Sequence, residues 1–140
     1  QAEAEMKVLV AAVRKVTTIT ANAFIDRDPD KARQVEPLEQ VVDELKDQIK
    51  SNHIKRLQKS ECSIEHGFVL SDLLNNFERV SDHCSNVAGC LIEMAGHTLS
   101  LHETLRAART DNEAYNKRHE SFVTKYALPT ASDKAVPTEA

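Results

Sequence analysis

Apolar residues recur at steps of three and four along three long stretches of this chain, and that spacing constrains the fold more than any other feature. In residues 2–26, Met6, Leu9, Val13, Val16, Ile19 and Ala23 form one stripe, the pattern of a helix that buries one face. DRDPD interrupts it, and Asp28 before Pro29 reads as an N-cap with proline at the first helical position, so a second helix is expected to start there. Its stripe is Val35, Leu38, Val42, Leu45, Ile49 and Leu57, with His53 on the same face. Pro37 is expected to kink the first turns or to mark where the straight portion begins. After QKSECS at 58–63, where Ser60 or Ser63 is placed to cap, a third helix carries a heptad of Leu70, Leu73, Phe77, Val80, Cys84, Val87 and Leu91. Gly96 is its expected stop.

Long helices joined by short connections pack side by side, so the sequence predicts an all-α fold: an antiparallel three-helix bundle over residues 1–97. A further helical extension over 98–127, broken near Thr110 and Asp111, is expected to pack on it. The segment from 128 to 140, LPTASDKAVPTEA, has two prolines and little to bury, and is expected to be disordered. A formal net charge of −4 argues against a nucleic-acid surface, which needs a basic face to neutralise phosphates. Cys62, Cys84 and Cys90 are odd in number and lack C-x-x-C spacing, so they read as reduced thiols rather than a disulfide framework or a structural zinc site. Reduced thiols imply an intracellular setting. No stretch reads as a bilayer span, and no catalytic motif of the nucleophile-elbow, phosphate-loop or H-E-x-x-H kind occurs.

Two acid pairs remain to be explained. Glu39 and Asp43 lie four apart on the second helix, and Glu78 and Asp82 lie four apart on the third. Like charges one turn apart cost a few tenths of a kcal/mol, so something should offset them. In an antiparallel hairpin that turns at Ser60 and Glu61, residues whose numbers total about 121 stand level at ~1.5 Å rise per residue. By that count Asp43 is level with Glu78, and Glu39 with Asp82. All four project beside the apolar stripes, as boundary residues, across a gap of about 8–10 Å between helix axes. Carboxylates converging from two helices resemble the donor sets of carboxylate-bound metal centres in bundles. Lys46, Lys50 and Arg79 are near enough to pair with these acids instead, and Arg14 and Lys15 come level on the first helix. His83 points about 100° away from Asp82, and Cys84 reads as packed core.

The stretch ECSIEHGFVLSDLLNNFERVSDHCSNVAGCLIEMAG, preceded by VEPLEQVVDELKDQIKSNHIKRLQKSECS, resembles a PhoU domain. It is most similar to the PhoU-type C-terminal domain of bacterial sodium/phosphate cotransporter family proteins, over about residues 5–126. The resemblance implies a three-helix bundle and a metal-associated E(D)-x-x-x-D motif, which falls on Glu39 with Asp43 and on Glu78 with Asp82. The first helix has no such pair. A full-length PhoU protein has two such bundles, whereas this chain has room for one.

These readings lead to an expected function: a non-enzymatic accessory or regulatory domain of a sodium-dependent phosphate transporter, on the cytoplasmic side of the inner membrane. Glu39, Asp43, Glu78 and Asp82 would hold a divalent or trivalent metal ion of the iron, zinc or manganese class. The partner would be a second copy of the chain or a membrane transporter domain N-terminal to Gln1. The alternative is a helical interaction or dimerisation module without metal. A redox metalloenzyme fits less well, because the acid pairs lack the E-x-x-H pattern that supplies nitrogen ligands.

Overall fold

The computed structural model describes residues 1–96 and 113–129. Helix α1 spans Ala2–Asp26, and α2 is a single turn, Pro29–Ala32. Helix α3 spans Val35–Gln58, α4 spans Ile64–Gly96, and α5 spans Glu113–Lys125. The fold is all-α. The expected break at Thr110 and Asp111, the rest of 98–112 and the tail from 130 lie outside the described residues.

The Asp28 cap forms as expected, its side chain accepting from the backbone N–H groups of Asp30 (2.9 Å) and Lys31 (3.1 Å). The helix it starts is only one turn long, which corrects the expectation of one continuous second helix. Arg33 and Gln34 form a turn, and α3 begins afresh at Val35. Pro37 supplies the reason: in a continuous helix its ring would clash with the Arg33 carbonyl, and its missing N–H would leave that carbonyl unpaired. In the first turn of α3 neither cost arises. Ser63 caps α4, its Oγ accepting from the His66 N–H at 3.4 Å.

Helices α1, α3 and α4 pack against one another pairwise. Their directions follow from side-chain contacts. Glu5 near the start of α1 meets Arg56 near the end of α3; Glu36 near the start of α3 meets Ser85 late in α4. Both pairs therefore run antiparallel. The core holds Val8, Leu9, Ala12, Val16 and Ala23 of α1 with Val35, Leu38, Val42, Leu45 and Ile49 of α3, all at most 3% exposed. Burial of apolar area at roughly 25 cal/mol per Å² makes this set the main source of stability. Helix α1 is long and apolar enough to cross a membrane by length and composition, the one such helix among the described residues. This departs from the expectation that no stretch reads as a span; in the bundle its apolar stripe faces α3 and α4.

Helix α4 departs from the sequence expectation in its rotation. Leu73, Val80 and Val87, three members of the heptad, are 43%, 41% and 39% exposed. The buried positions are Leu74, Ser81, Cys84, Ser85, Ala88 and Gly89. Small residues allow close approach of the backbones, so α4 turns them and Leu74 into the groove between α1 and α3; Leu70, Phe77 and Leu91 pack at its edge, and Leu73, Val80 and Val87 are left outside. Cys84 is core, as its heptad position implies. Helix α5 lies on α3, where His119 Nε2 is 3.1 Å from Glu44 Oε1 and Tyr126, just past the helix, is 4% exposed.

Candidate functional site

The α3–α4 seam brings acids together much as the counting of levels implies, with one residue shifted. Glu36, Glu39 and Asp43 follow one another at helical spacing along α3, so they share a stripe facing α4. Glu36 and Glu39 are only 4% and 3% exposed, which corrects the expectation that Glu39 is a boundary residue. Asp43 is half-buried and so is Glu78, while Asp82 is exposed. Carboxylates are almost never fully buried unless held by partners. Ser85 on α4 supplies one, its Oγ donating to Glu36 Oε2, and Glu36 and Glu39 each make further contacts.

Asp43, Glu78 and Asp82 sit close enough to act on one another electrically. Burial raises the Asp43 carboxyl above its ordinary value of 3.8; Lys46 pulls it down, and the charges of Glu78, Asp82 and Asp47 push it up. Lys46 reaches from α3 to α4, its Nζ donating to Glu78 Oε1. Burial pulls the Lys46 ammonium down, but the hydrogen bond to Glu78 and the charges of Glu78, Asp43 and Asp47 leave it raised above 10.5. One lysine thus faces several acids. Asp43 Oδ1, near this lysine, and Ser81 Oγ on α4 are both buried with no hydrogen-bond partner among the described residues.

Of the four acids singled out by sequence, three therefore converge, and Glu39 lies buried one turn nearer the start of α3. Among the described residues, no three His, Cys, Asp or Glu side chains are already gathered closely enough to enclose a metal ion. Glu36, Ser81 and Ser85 escaped the search for acid pairs. The signal for them was present: the level of Glu36 falls on Ser85 by the same count, and Ser81 follows Glu78 at a step of three. His83 is exposed and adds no ligand to the seam.

A second polar contact ties α1 to α3. Glu5, fully buried, accepts from Arg56 Nη1 at 3.0 Å to each carboxylate oxygen and from Asn52 Nδ2 at 3.2 Å. A single nitrogen spans both oxygens in this charge-assisted pair, and Arg56 Nε and Nη2 are buried with no hydrogen-bond partner among the described residues.

The model of the PhoU domain matches residues 9–91. Over 83 residues the chain is 28% identical to a Thermotoga maritima protein described as "Phosphate-specific transport system accessory protein PhoU homolog 1". That stretch is 59% of this chain and 36% of the relative, so the chain spans little more than a third of that protein's length. No solved structure matches. Because the family match runs from Leu9 in α1 to Leu91 in α4, over more than half the chain and the whole acid-bearing seam, this chain belongs to the PhoU domain family.

Proposed function

We propose that the domain is a non-enzymatic regulatory module for phosphate uptake, acting on the cytoplasmic face of a sodium-dependent phosphate transporter. The family and the relative's described role in phosphate-specific transport support the phosphate link. The observation that carries the mechanism is the acid seam, where Lys46 bridges α3 and α4 through Glu78 and Asp43 Oδ1 is buried with no hydrogen-bond partner among the described residues.

Hard oxygen donors without sulfur ligands suit divalent or trivalent cations of the iron, zinc or manganese class, and the orphaned oxygen of Asp43 fits such a guest. Asp43, Glu78 and Asp82 would hold it, with Glu39 behind them. When bound, the cation would supply charge neutralisation. Lys46 now performs part of that task by holding the two helices together through Glu78. Asp43 and Asp82 keep the site attractive to a second positive charge, because their repulsion is only partly relieved. Metal analysis and calorimetric titration of the protein, beside a Glu78→Ala, Asp82→Ala variant, test this reading. Loss of about one equivalent of manganese or iron in the variant is expected, and unchanged metal content removes the site.

A second reading rests on a different observation. Leu73, Val80, Val87 and Met94 recur at intervals of seven along the outer face of α4 and are 43%, 41%, 39% and 72% exposed. A straight apolar seam of that period is what coiled-coil partners present, which favours a module that docks on a second copy or on the transporter's membrane domain. Sedimentation of the protein and of a Val80→Glu, Val87→Glu variant checks it. A concentration-dependent dimer that the variant abolishes supports self-docking, and a monomer at all concentrations leaves the membrane domain as the partner.

A further inference from the structure

At the far end of the same two helices, about 15 Å along α3 from Asp43 at 1.5 Å per residue, the turn between α3 and α4 builds a separate site. Cys62 is half-buried there. Its Sγ lies 3.7 Å from Nδ1 of His53 and 3.9 Å from the His53 carbonyl oxygen. His53 is only 9% exposed, and its other ring nitrogen, Nε2, is buried with no hydrogen-bond partner among the described residues. The ring lies against Gly67 of α4, where an added Cβ would come within 2.8 Å of Nε2. Both side chains line a cavity of about 550 Å³, walled by Val69, Leu70 and Leu73 and rimmed by Glu61 and His66.

Two costs mark this arrangement. A buried, unpaired ring nitrogen forfeits the hydrogen bonds it had in water, and a glycine inside a helix is less favourable than alanine. A core histidine with no other task would do better replaced by leucine. The imidazole instead presents one nitrogen to a thiol at the wall of an open cavity, the juxtaposition by which a histidine takes a thiol's proton.

We propose that Cys62 is a modification site that exchanges with low-molecular-weight disulfides, with His53 as the base that positions and deprotonates it. With the ring proton on Nε2, Nδ1 is free to accept the thiol proton. The thiolate attacks one sulfur of the incoming disulfide; a new bond joins Cys62 to that half while the old S–S bond breaks. The other half leaves as a thiolate and takes the proton from His53. One disulfide is consumed and one is formed, so no further oxidant is needed. The apolar wall and polar rim suit a compound with a short aliphatic disulfide and charged ends.

The test uses the whole 140-residue chain with oxidised glutathione as the probe and peptide mass spectrometry as the readout. Cys90, exposed on α4, controls for exposure alone, and buried Cys84 controls for loosening of the fold. Cys62 is expected to be modified at least about 10-fold faster than Cys90, and His53→Gln to slow Cys62 by about 10-fold while Cys84 stays unreactive. Modification of Cys90 first overturns the proposal, as does an unchanged or faster Cys62 in the variant. Should the variant unfold, the wild-type ratio decides: a Cys62 preference that vanishes in urea supports the site, and equal rates under native conditions sink it.

Discussion

The bundle contains two charged contacts between helices, and they are balanced in opposite ways. At the α1–α3 contact, Glu5 is fully buried and both its oxygens are taken by one arginine, with Asn52 adding a third hydrogen bond. At the α3–α4 contact, Lys46 faces Glu78, Asp43 and Asp47 together, and an Asp43 oxygen is left buried without a hydrogen-bond partner among the described residues. At the first contact the carboxylate is fully engaged, while Arg56 Nε and Nη2 are buried with no hydrogen-bond partner among the described residues, so what is left over there is donor capacity and no oxygen for a cation. The second keeps excess negative charge in a partly dry place, which is the condition for capturing a cation. Burial alone therefore does not mark a functional acid; the balance of its neighbours does.

The largest effect should come from unbalancing the Glu5–Arg56 contact. Arg56→Met leaves Glu5 charged and unpaired in the core, and urea unfolding should show a loss of about 3–5 kcal/mol. A loss under 1 kcal/mol would mean that the contact is not a structural lock, and the contrast between the two regions would fail. Lys46→Met should cost less, about 1–2 kcal/mol, because the acids it leaves are partly wet. Millimolar manganese should restore that loss if the seam accepts a cation, whereas Arg56→Met should not respond to metal.

The third effect has the opposite sign. The raised carboxyl of Asp43 means that the folded chain holds this proton more tightly than the unfolded chain does. Stability from this group is therefore present at low pH and is lost as pH rises from its ordinary value of 3.8 through its folded value. Asp43→Asn should remove that loss and stabilise the protein at neutral pH by a few tenths to about 1 kcal/mol. Denaturation followed from pH 4 to 7 checks both sign and window. The smallest effect is expected at Ser81, whose buried hydroxyl has no partner; Ser81→Ala should be neutral or stabilising by less than about 1 kcal/mol. A clear destabilisation there would mean that the hydroxyl is engaged in solution.

Much of this molecule was legible in advance because it is local. The α1 stripe, the Asp28 cap and the α3 stripe from Val35 to Ile49 each depend on residues within one or two turns. The acid levels were legible too, since a known rise per residue and a turn at residues 60–61 fix height along antiparallel helices. The rotation of α4 was not. Leu73, Val80 and Val87 look like core by type, yet Ser81, Ser85 and Ala88 occupy the interior. Propensity and periodicity rank side chains by hydrophobicity, whereas a helix wedged between two others is also selected for size. The buried position of Glu39 escaped for the same reason, as it depends on what α4 lays over it.

Sequence by itself determined that the chain is helical, where α1 and α4 begin, and that Asp43 comes level with the acids of α4. Only the tertiary structure decided which way α4 faces, and hence that Lys46 reaches Glu78 while Glu36 and Glu39 are covered. Height follows from chain geometry, which every residue shares. Facing follows from the fit of three helices at once, and no single helix contains that information.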